Sequence, residues 1–184
     1  MNASVRGLVL VTFLIIGIAA AGCTSDETSP VPLPSGVPQK GVLIQAVGNV
    51  TGQGVLLPGV PRGTLDTITF SIGLAPGAKP LDITNTTIVY SDAVRTEEIQ
   101  PVDGYRGDPP PGFWGIVDTV NEPGNRNLRL EFEKQFVIRI HLKTPVVPNQ
   151  LITISVKPAY GKPLVIRRVA PPTIFEGDNL LPGL

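Results

Sequence analysis

After Lys40, apolar and polar residues alternate with a period of two along much of the chain. Between Ile68 and Leu74, every second residue is apolar and the intervening residues are Thr, Ser and Gly. This alternation is typical of a β-strand with one buried face. Further strand candidates lie at residues 42–48, 86–92, 113–120, 128–142, 152–158 and 163–169.

Segments rich in glycine, proline and asparagine separate these candidates and are typical of turns. They read APGAKP at 75–80, GDPPPG at 107–112, NEPGNRN at 121–127 and PAYGKP at 158–163. No helical stripe longer than about ten residues follows the amino-terminal segment. The pattern therefore predicts an all-β fold, an immunoglobulin-like antiparallel β-sandwich of about seven to nine strands.

Residues 128–142 contain two runs of alternating apolar positions. The first includes Leu128, Leu130 and Phe132, and the second begins at Phe136. The polar residues 133–135 between the runs predict a bulge or a turn.

The amino terminus has the form of an export signal, with Arg6 before an apolar run from Leu8 to Ala21. A helix over that run would be about 21 Å long, which is shorter than a bilayer core of about 30 Å. We therefore expect residues 1–22 to be a signal peptide or a short membrane-anchor helix.

Two processing points are compatible with this segment. The sequence AAGC at 20–23 resembles a lipobox, which implies cleavage after Gly22 and lipid attachment to Cys23, the only cysteine. The alternative for Cys23 is an incidental small residue at the end of a signal or anchor helix. VRG before the apolar run instead resembles the site cut in type IV pilin-like precursors, which implies cleavage after Gly7 and retention of the helix.

Residues 23–41 contain repeated proline, which favours extended polyproline geometry and excludes a continuing helix. We interpret this segment as a tether rich in proline, serine and threonine. The expected organisation is then a sandwich at residues 42–175 and a carboxy-terminal tail at residues 176–184.

Two stretches of the sandwich carry a family resemblance. ITFSIGLAPGAKPLDITNTTIVYSD at 68–92 and ITISVKPAYGKPLVIRRVAPPTI at 152–174 resemble, in order, two segments of the archaellin globular domain. The stretch at 130–142 resembles the strand pair that surrounds a short acidic turn in that family. Archaellins are the subunits of the archaeal flagellum, the archaellum, so the resemblance implies a structural rather than an enzymatic role.

The amino terminus departs from that family. Archaellins assemble through a long apolar helix, whereas here the apolar run ends by Gly22 and proline-rich sequence follows. About four helical turns offer limited contact for packing in a filament core. The resemblance therefore supports the outer domain more strongly than it supports an ordinary filament subunit.

Few residues of the types used in catalytic or metal sites are present. His141 is the only histidine and lies in a strand pattern, so we interpret it as an outward polar residue. Asp103 and Asp108 are interpreted as residues of solvated turns because their spacing fits no calcium loop. The RGD at 106–108 is interpreted as a coincidence. We expect no catalytic residue, no metal site and no cofactor.

Charge excludes one class of partner. Fifteen basic and fifteen acidic residues balance, and no basic stripe is interleaved with aromatic residues. Nucleic acid is therefore not expected as a partner. Two N-glycosylation sequons, at Asn49 and Asn85, lie in the part expected to be exported.

Together, these observations predict an exported archaellin-like structural protein, a component of or accessory to the archaellum or a related surface filament. The alternative is a lipid-anchored surface lipoprotein that binds envelope partners. Expected partners are archaellin or other cell-envelope proteins, a second copy of the chain at the sheet edges, and the membrane through the amino terminus or a lipid. The expected location is extracytoplasmic, at the cell surface or in the archaellum.

Overall fold

The computed structural model describes residues 41–56, 58–59, 63–122, 124 and 126–184. Their regular secondary structure is strand, apart from one turn of 3-10 helix at Ile83–Asn85. In chain order the strands are β1 (Ile44–Val55), β2 (Thr64–Leu74), β3 (Leu81–Asp82), β4 (Thr87–Ser91), β5 (Thr96–Arg106), β6 (Phe113–Val120), β7 (Arg129–Leu130), β8 (Gln135–Val146), β9 (Leu151–Lys157), β10 (Leu164–Val169) and β11 (Gly177–Leu180).

Nine strands are hydrogen-bonded in the order β10-β9-β4-β5-β6-β8-β2-β1-β11, and the short strands β3 and β7 pair separately. Strand β5 belongs to both layers of the sandwich, because its first half pairs with β4 and its second half pairs with β6. Its register with β6 breaks between Pro101 and Arg106, where Gly104 and Tyr105 have φ values of 69° and 62°. We call β10, β9, β4 and the first half of β5 the small layer, and the remaining strands of the order the large layer.

The two layers share one apolar core. Inward-facing residues of the large layer and of the small layer belong to a single buried cluster. Its fully buried aromatic residues include Trp114 and Phe136 from the large layer and Tyr90 from the small layer. Burying a large apolar side chain contributes roughly 2 kcal/mol, so this cluster holds the sandwich together.

The prediction of an all-β sandwich is confirmed. The period-two pattern at 68–74 corresponds to β2, in which Ile68, Phe70 and Ile72 are at most 1% exposed. The strand predicted at 113–120 has the same bounds as β6. With β3 and β7 set aside, the nine strands of the main order lie at the upper end of the predicted number.

Among the named strands that the structure describes, one pair differs from the expected antiparallel arrangement. Strands β5 and β6 are parallel, with Pro101 opposite Trp114. A parallel pair needs a connection of about a dozen residues. The turned end of β5 and the loop at 107–112 supply that connection.

Two further regions differ from the expectations. Phe132 was expected to face inward but is 84% exposed, because the chain already turns at Phe132 and Glu133, where Glu133 has φ 61°. Residues 176–184, expected as a tail, include β11, which pairs with β1 at four positions from Thr51 to Gly54.

The predicted signal or anchor segment lies outside the described residues, as do Gly7, Gly22, Cys23 and nearly all of the proline-rich tether. Within the ranges that the structure describes, no helix is long and apolar enough to cross a membrane.

Candidate functional site

A buried lysine organises the end of the sandwich where β6 and β8 meet. Lys134 precedes β8 and its side chain has no exposed surface. Its Nζ lies 3.2 Å from Oε1 of Glu122 and donates to the carbonyl and Oδ1 of Asn127, at 3.1 and 2.9 Å. It also lies 4.9 Å from the ring centroid of Phe136. The lysine therefore fixes the 121–127 segment against the strand pair.

Arg106, at the turned end of β5, joins the same network. Its Nη2 lies 3.0 Å from Oε1 of Glu122 and donates to the carbonyl of Asn127, and its Nη1 donates to Thr119. The guanidinium thereby links β5, β6 and the 121–127 segment. We call Arg106, Glu122, Asn127 and Lys134 the buried charge network.

The network carries a net positive charge, since the carboxylate of Glu122 pairs with two cations, Arg106 and Lys134. Desolvation opposes ionisation of Glu122, but the hydrogen bond from Lys134 and the charges of Arg106 and Lys134 outweigh it and lower the pKa of Glu122. In the folded protein, the carboxylate of Glu122 is therefore ionised near neutral pH.

An open cavity of about 540 Å³ lies beside this network and is lined in part by Arg106, Asp118, Thr119, Glu122 and Arg126. Its polar groups are largely engaged with one another rather than directed at a common point. Among the described residues, no three His, Cys, Asp or Glu side chains come together as metal ligands would. These contacts hold the 121–127 segment in place and serve a structural role.

The loop at 107–112 packs on the outer surface of the large layer. Asp108 bonds to Arg139 Nη1 at 2.6 Å, and Nδ1 of His141 lies 2.9 Å from the carbonyl of Pro109. His141 thus lies on the outward side of β8, as its strand position predicted, and helps to hold the loop. Asp103 is exposed in the turned end of β5.

The structure separates the ends of the RGD sequence. The Arg106 guanidinium belongs to the buried charge network, whereas the side chain of Asp108 is 75% exposed and bound to Arg139. The motif therefore does not present an arginine and an aspartate together to a partner.

A second polar centre closes the turn between β4 and β5. Asp92 accepts hydrogen bonds from Tyr90 Oη and from the backbone N–H groups of Val94 and Arg95, all between 2.8 and 2.9 Å. Arg95 pairs with Asp92, stacks 5.2 Å from the centroid of Tyr90 and donates to the carbonyl of Thr144. Burial, followed by the hydrogen bond to Asp92, raises the pKa of Tyr90, so the phenol stays neutral.

Both sequon asparagines are exposed. Asn49 lies in β1 at an interruption of the β1–β2 register, and Asn85 ends the 3-10 turn that is capped by Asp82. The two sites are on different elements and neither is in the buried charge network.

Sequence reasoning missed Lys134 and its partners, although a signal was present. Lys134 lies two residues before Phe136, in the alternating set that continues with Ile138 and Ile140 as the inward set of β8. A cation at an inward position requires a buried partner. Nothing local indicates that Glu122 and Asn127 supply it.

No protein-family model matches the chain, and no curated protein sequence matches it. Solved structures do match in fold. The archaeal flagellin FlaB1 from Methanocaldococcus jannaschii has a TM-score of 0.58 at 12% identity, covering 75% of this chain and 95% of that one. The archaeal flagellum of Methanospirillum hungatei strain JF1 has a TM-score of 0.53 at 13% identity, covering 77% of this chain and 72% of that one.

The described domain has an archaellin-like fold. The resemblance noted in the two sequence stretches is thereby confirmed at the level of structure, despite identities of 12% and 13% to these two proteins. In this archaellin-like domain, the buried charge network fixes the 121–127 segment between β6 and β8, and the Asp92 turn fixes the connection between β4 and β5.

Proposed function

We propose that this chain is an exported structural protein, a component of or accessory to the archaellum or a related surface filament. The observation that carries the proposal is an archaellin-like domain placed directly after an apolar segment and a proline-rich tether. Its partners would be archaellin or other envelope proteins, and its location would be extracytoplasmic.

The polar centres of the domain suit a structural role. Arg106, Lys134 and Arg95 are held by neighbouring oxygens, so these cations are committed to fixing loops. Such a domain offers a stable surface for packing against neighbours. This is the basis for expecting no enzymatic activity.

A second candidate function rests on Cys23. A lipid-modified Cys23 would remove the apolar helix and leave the domain on a proline-rich tether, as a surface lipoprotein that binds envelope partners. A single acyl chain holds a protein only marginally on a membrane, so stable anchoring would need two chains.

Mass spectrometry of the mature chain, recovered from filament and membrane fractions of the producing cells, tests both candidates. A chain that begins at Leu8 and co-purifies with filaments supports the filament role. A chain that begins with diacylglyceryl-modified Cys23 in the membrane fraction supports the anchored role and excludes assembly through the apolar helix. Recovery in neither fraction contradicts both.

Matched variants sharpen the result. Cys23→Ser should release an anchored chain from the membrane but should leave a chain cut after Gly7 in place. Gly7→Val should block processing of a filament component but should not affect lipid attachment at Cys23.

We further propose that Asn49 and Asn85 carry glycans, because both side chains are exposed within complete sequons. Intact-mass measurement of the exported chain should show added mass. Asn49→Gln and Asn85→Gln should each remove the mass of one glycan. If neither variant loses more mass than the substitution itself accounts for, the assignment is wrong.

A further inference from the structure

The two ends of the nine-stranded order meet on one side of the sandwich. Strands β10 and β11 are its terminal strands. Residues 181–184 cross from β11 to β10. There the backbone N–H of Val169 donates to the carbonyl of Pro182 at 3.2 Å, and Arg168 and Gly183 form an antiparallel β-bridge. We call β10, β11 and residues 170–176 and 181–184 the open side.

Four exposed apolar side chains lie on the elements of the open side. Val165, Phe175, Leu180 and Leu184 are 49%, 68%, 57% and 79% exposed. Val165 and Leu184 also line an open cavity of about 470 Å³. A lone exposed apolar residue is ordinary, whereas Val165 and Leu184 line the same cavity and offer adjoining apolar surface to a partner.

The charges of the open side fall into two groups. Glu176 and Asp178 lie at β11 and are exposed, and Arg167 and Arg168 lie on β10. Within the described part of the chain, none of these four side chains forms an ion pair. The open side therefore has an acidic half in the large layer and a basic half in the small layer.

We propose that the open side binds a second copy of the same chain through a two-fold axis that runs along the strands. This inference rests on the structural role proposed above. Rotation about such an axis places the acidic half of one copy over the basic half of the other, and each contact occurs twice. Two surfaces of one sign would repel each other, so the split charge favours self-association.

Strand direction is compatible with this arrangement. Strand β1 is antiparallel to β11, and Val42 pairs in parallel with Lys162 just before β10. Strands β10 and β11 of one copy therefore run in opposite directions. The rotation preserves strand direction, so β11 of the second copy lies antiparallel to β10.

The apolar side chains supply contact area, and the charges set the register of the two copies. Contact through one edge of a sandwich is small, so the association is weak between free copies. It becomes effective when a membrane holds many copies close together.

Disulfide trapping tests the proposal on the full chain in the cells that produce it. One copy carries Arg167→Cys and one tag, and a co-expressed copy carries Asp178→Cys and a second tag. Mild oxidation should give a disulfide-linked species with both tags. The matched control replaces Arg167→Cys by Glu98→Cys, which is exposed on β5 and is separated from β10 by β9 and β4 in the strand order. A yield no higher than this control would overturn the proposal.

Charge reversal supplies a second measurement. Arg167→Glu should weaken self-association of the purified full chain by about tenfold, because symmetry changes two exposed contacts at once. Adding Asp178→Arg should restore it, and failure of this rescue counts against the proposed register. The measurement is sedimentation of the chain in detergent, with thermal unfolding as the check on folding.

The two proposals fail in different ways. A chain that forms the disulfide but never enters the filament or envelope fraction contradicts the proposed function alone. A chain that enters those fractions without trapping contradicts the open-side contact alone.

Discussion

Lys134 carries a charge in a position where the surrounding strand residues are apolar. Its amine is compensated by Glu122 and by two oxygens of Asn127. Removal of the carboxylate would leave the amine and Arg106 close together with less compensation. Burial of an uncompensated charge is among the most destabilising changes available to a folded protein.

Glu122→Gln should therefore lower the midpoint of thermal unfolding, as measured by circular dichroism. Glu98→Gln is the matched control, because Glu98 is exposed on β5 and outside the network. Replacing the amine with Lys134→Met in the Glu122→Gln background should recover part of the loss. Equal midpoints for Glu122→Gln and Glu98→Gln would show that the network contributes little.

Gly54 in β1 leaves no room for a side chain. A Cβ there would lie 2.0 Å from the carbonyl oxygen of Phe175 and 2.6 Å from Cγ2 of Ile174. Gly54→Ala should therefore destabilise the domain by about 3 kcal/mol, because the backbone of the 174–176 segment must move. Urea unfolding measures the change. Gly124→Ala is the control, since its Cβ would meet nothing within 4 Å, and a similar loss there would contradict the packing argument.

At the scale of elements, the turn between β4 and β5 depends on one carboxylate that accepts three hydrogen bonds. Asp92→Ala leaves the hydroxyl of Tyr90 and two backbone N–H groups without this acceptor. The expected loss is about 2 kcal/mol in the free energy of unfolding. Asp118→Ala is the control, because Asp118 is exposed and bonds to the adjacent Thr119 N–H. Equal losses for the two variants would show that the turn does not depend on Asp92.

The strands that sequence predicts are those whose alternation is complete within a few residues. Strand β9 and most of β2 are of this kind. Strand β5 gives no such signal, because it contains two adjacent glutamates, Pro101 and Gly104. The position of β5 in the fold depends on strands that are distant in sequence. Its own residues therefore predict neither its change of layer nor its parallel pairing with β6.

The same limit applies to the candidate site. The inward position of Lys134 is readable from the alternation, but its partners are not. Glu122 and Asn127 lie in a segment with turn-forming composition, which predicts a solvated loop. The fold instead places them over the buried amine.

At the scale of the whole molecule, three carboxylates couple stability to pH. Thr84 lowers the pKa of Asp82 through its backbone N–H and its hydroxyl. Burial opposes ionisation of Asp92, but hydrogen bonds from Val94 and Tyr90 lower its pKa, and the pKa of Glu122 is lowered as well. Each group binds fewer protons in the folded than in the unfolded state.

The stability that these groups contribute is therefore present above their ordinary pKa values and is lost as pH falls through the lowered values. The free energy of unfolding should decrease below about pH 4. Urea unfolding across this range measures the slope. The triple variant Asp82→Asn, Asp92→Asn and Glu122→Gln should be less stable at neutral pH but should show a smaller slope. An unchanged slope would contradict the linkage.

The chain enters the domain beside Lys162 and continues directly into β1, which has β2 on one side and β11 on the other. A pull on the tether would act along β1, so the hydrogen bonds to both neighbours would resist it together in shear. Opening from a free edge would instead break them one at a time. In the proposed surface role, a domain pulled from this point is therefore expected to withstand drag better than its modest size suggests.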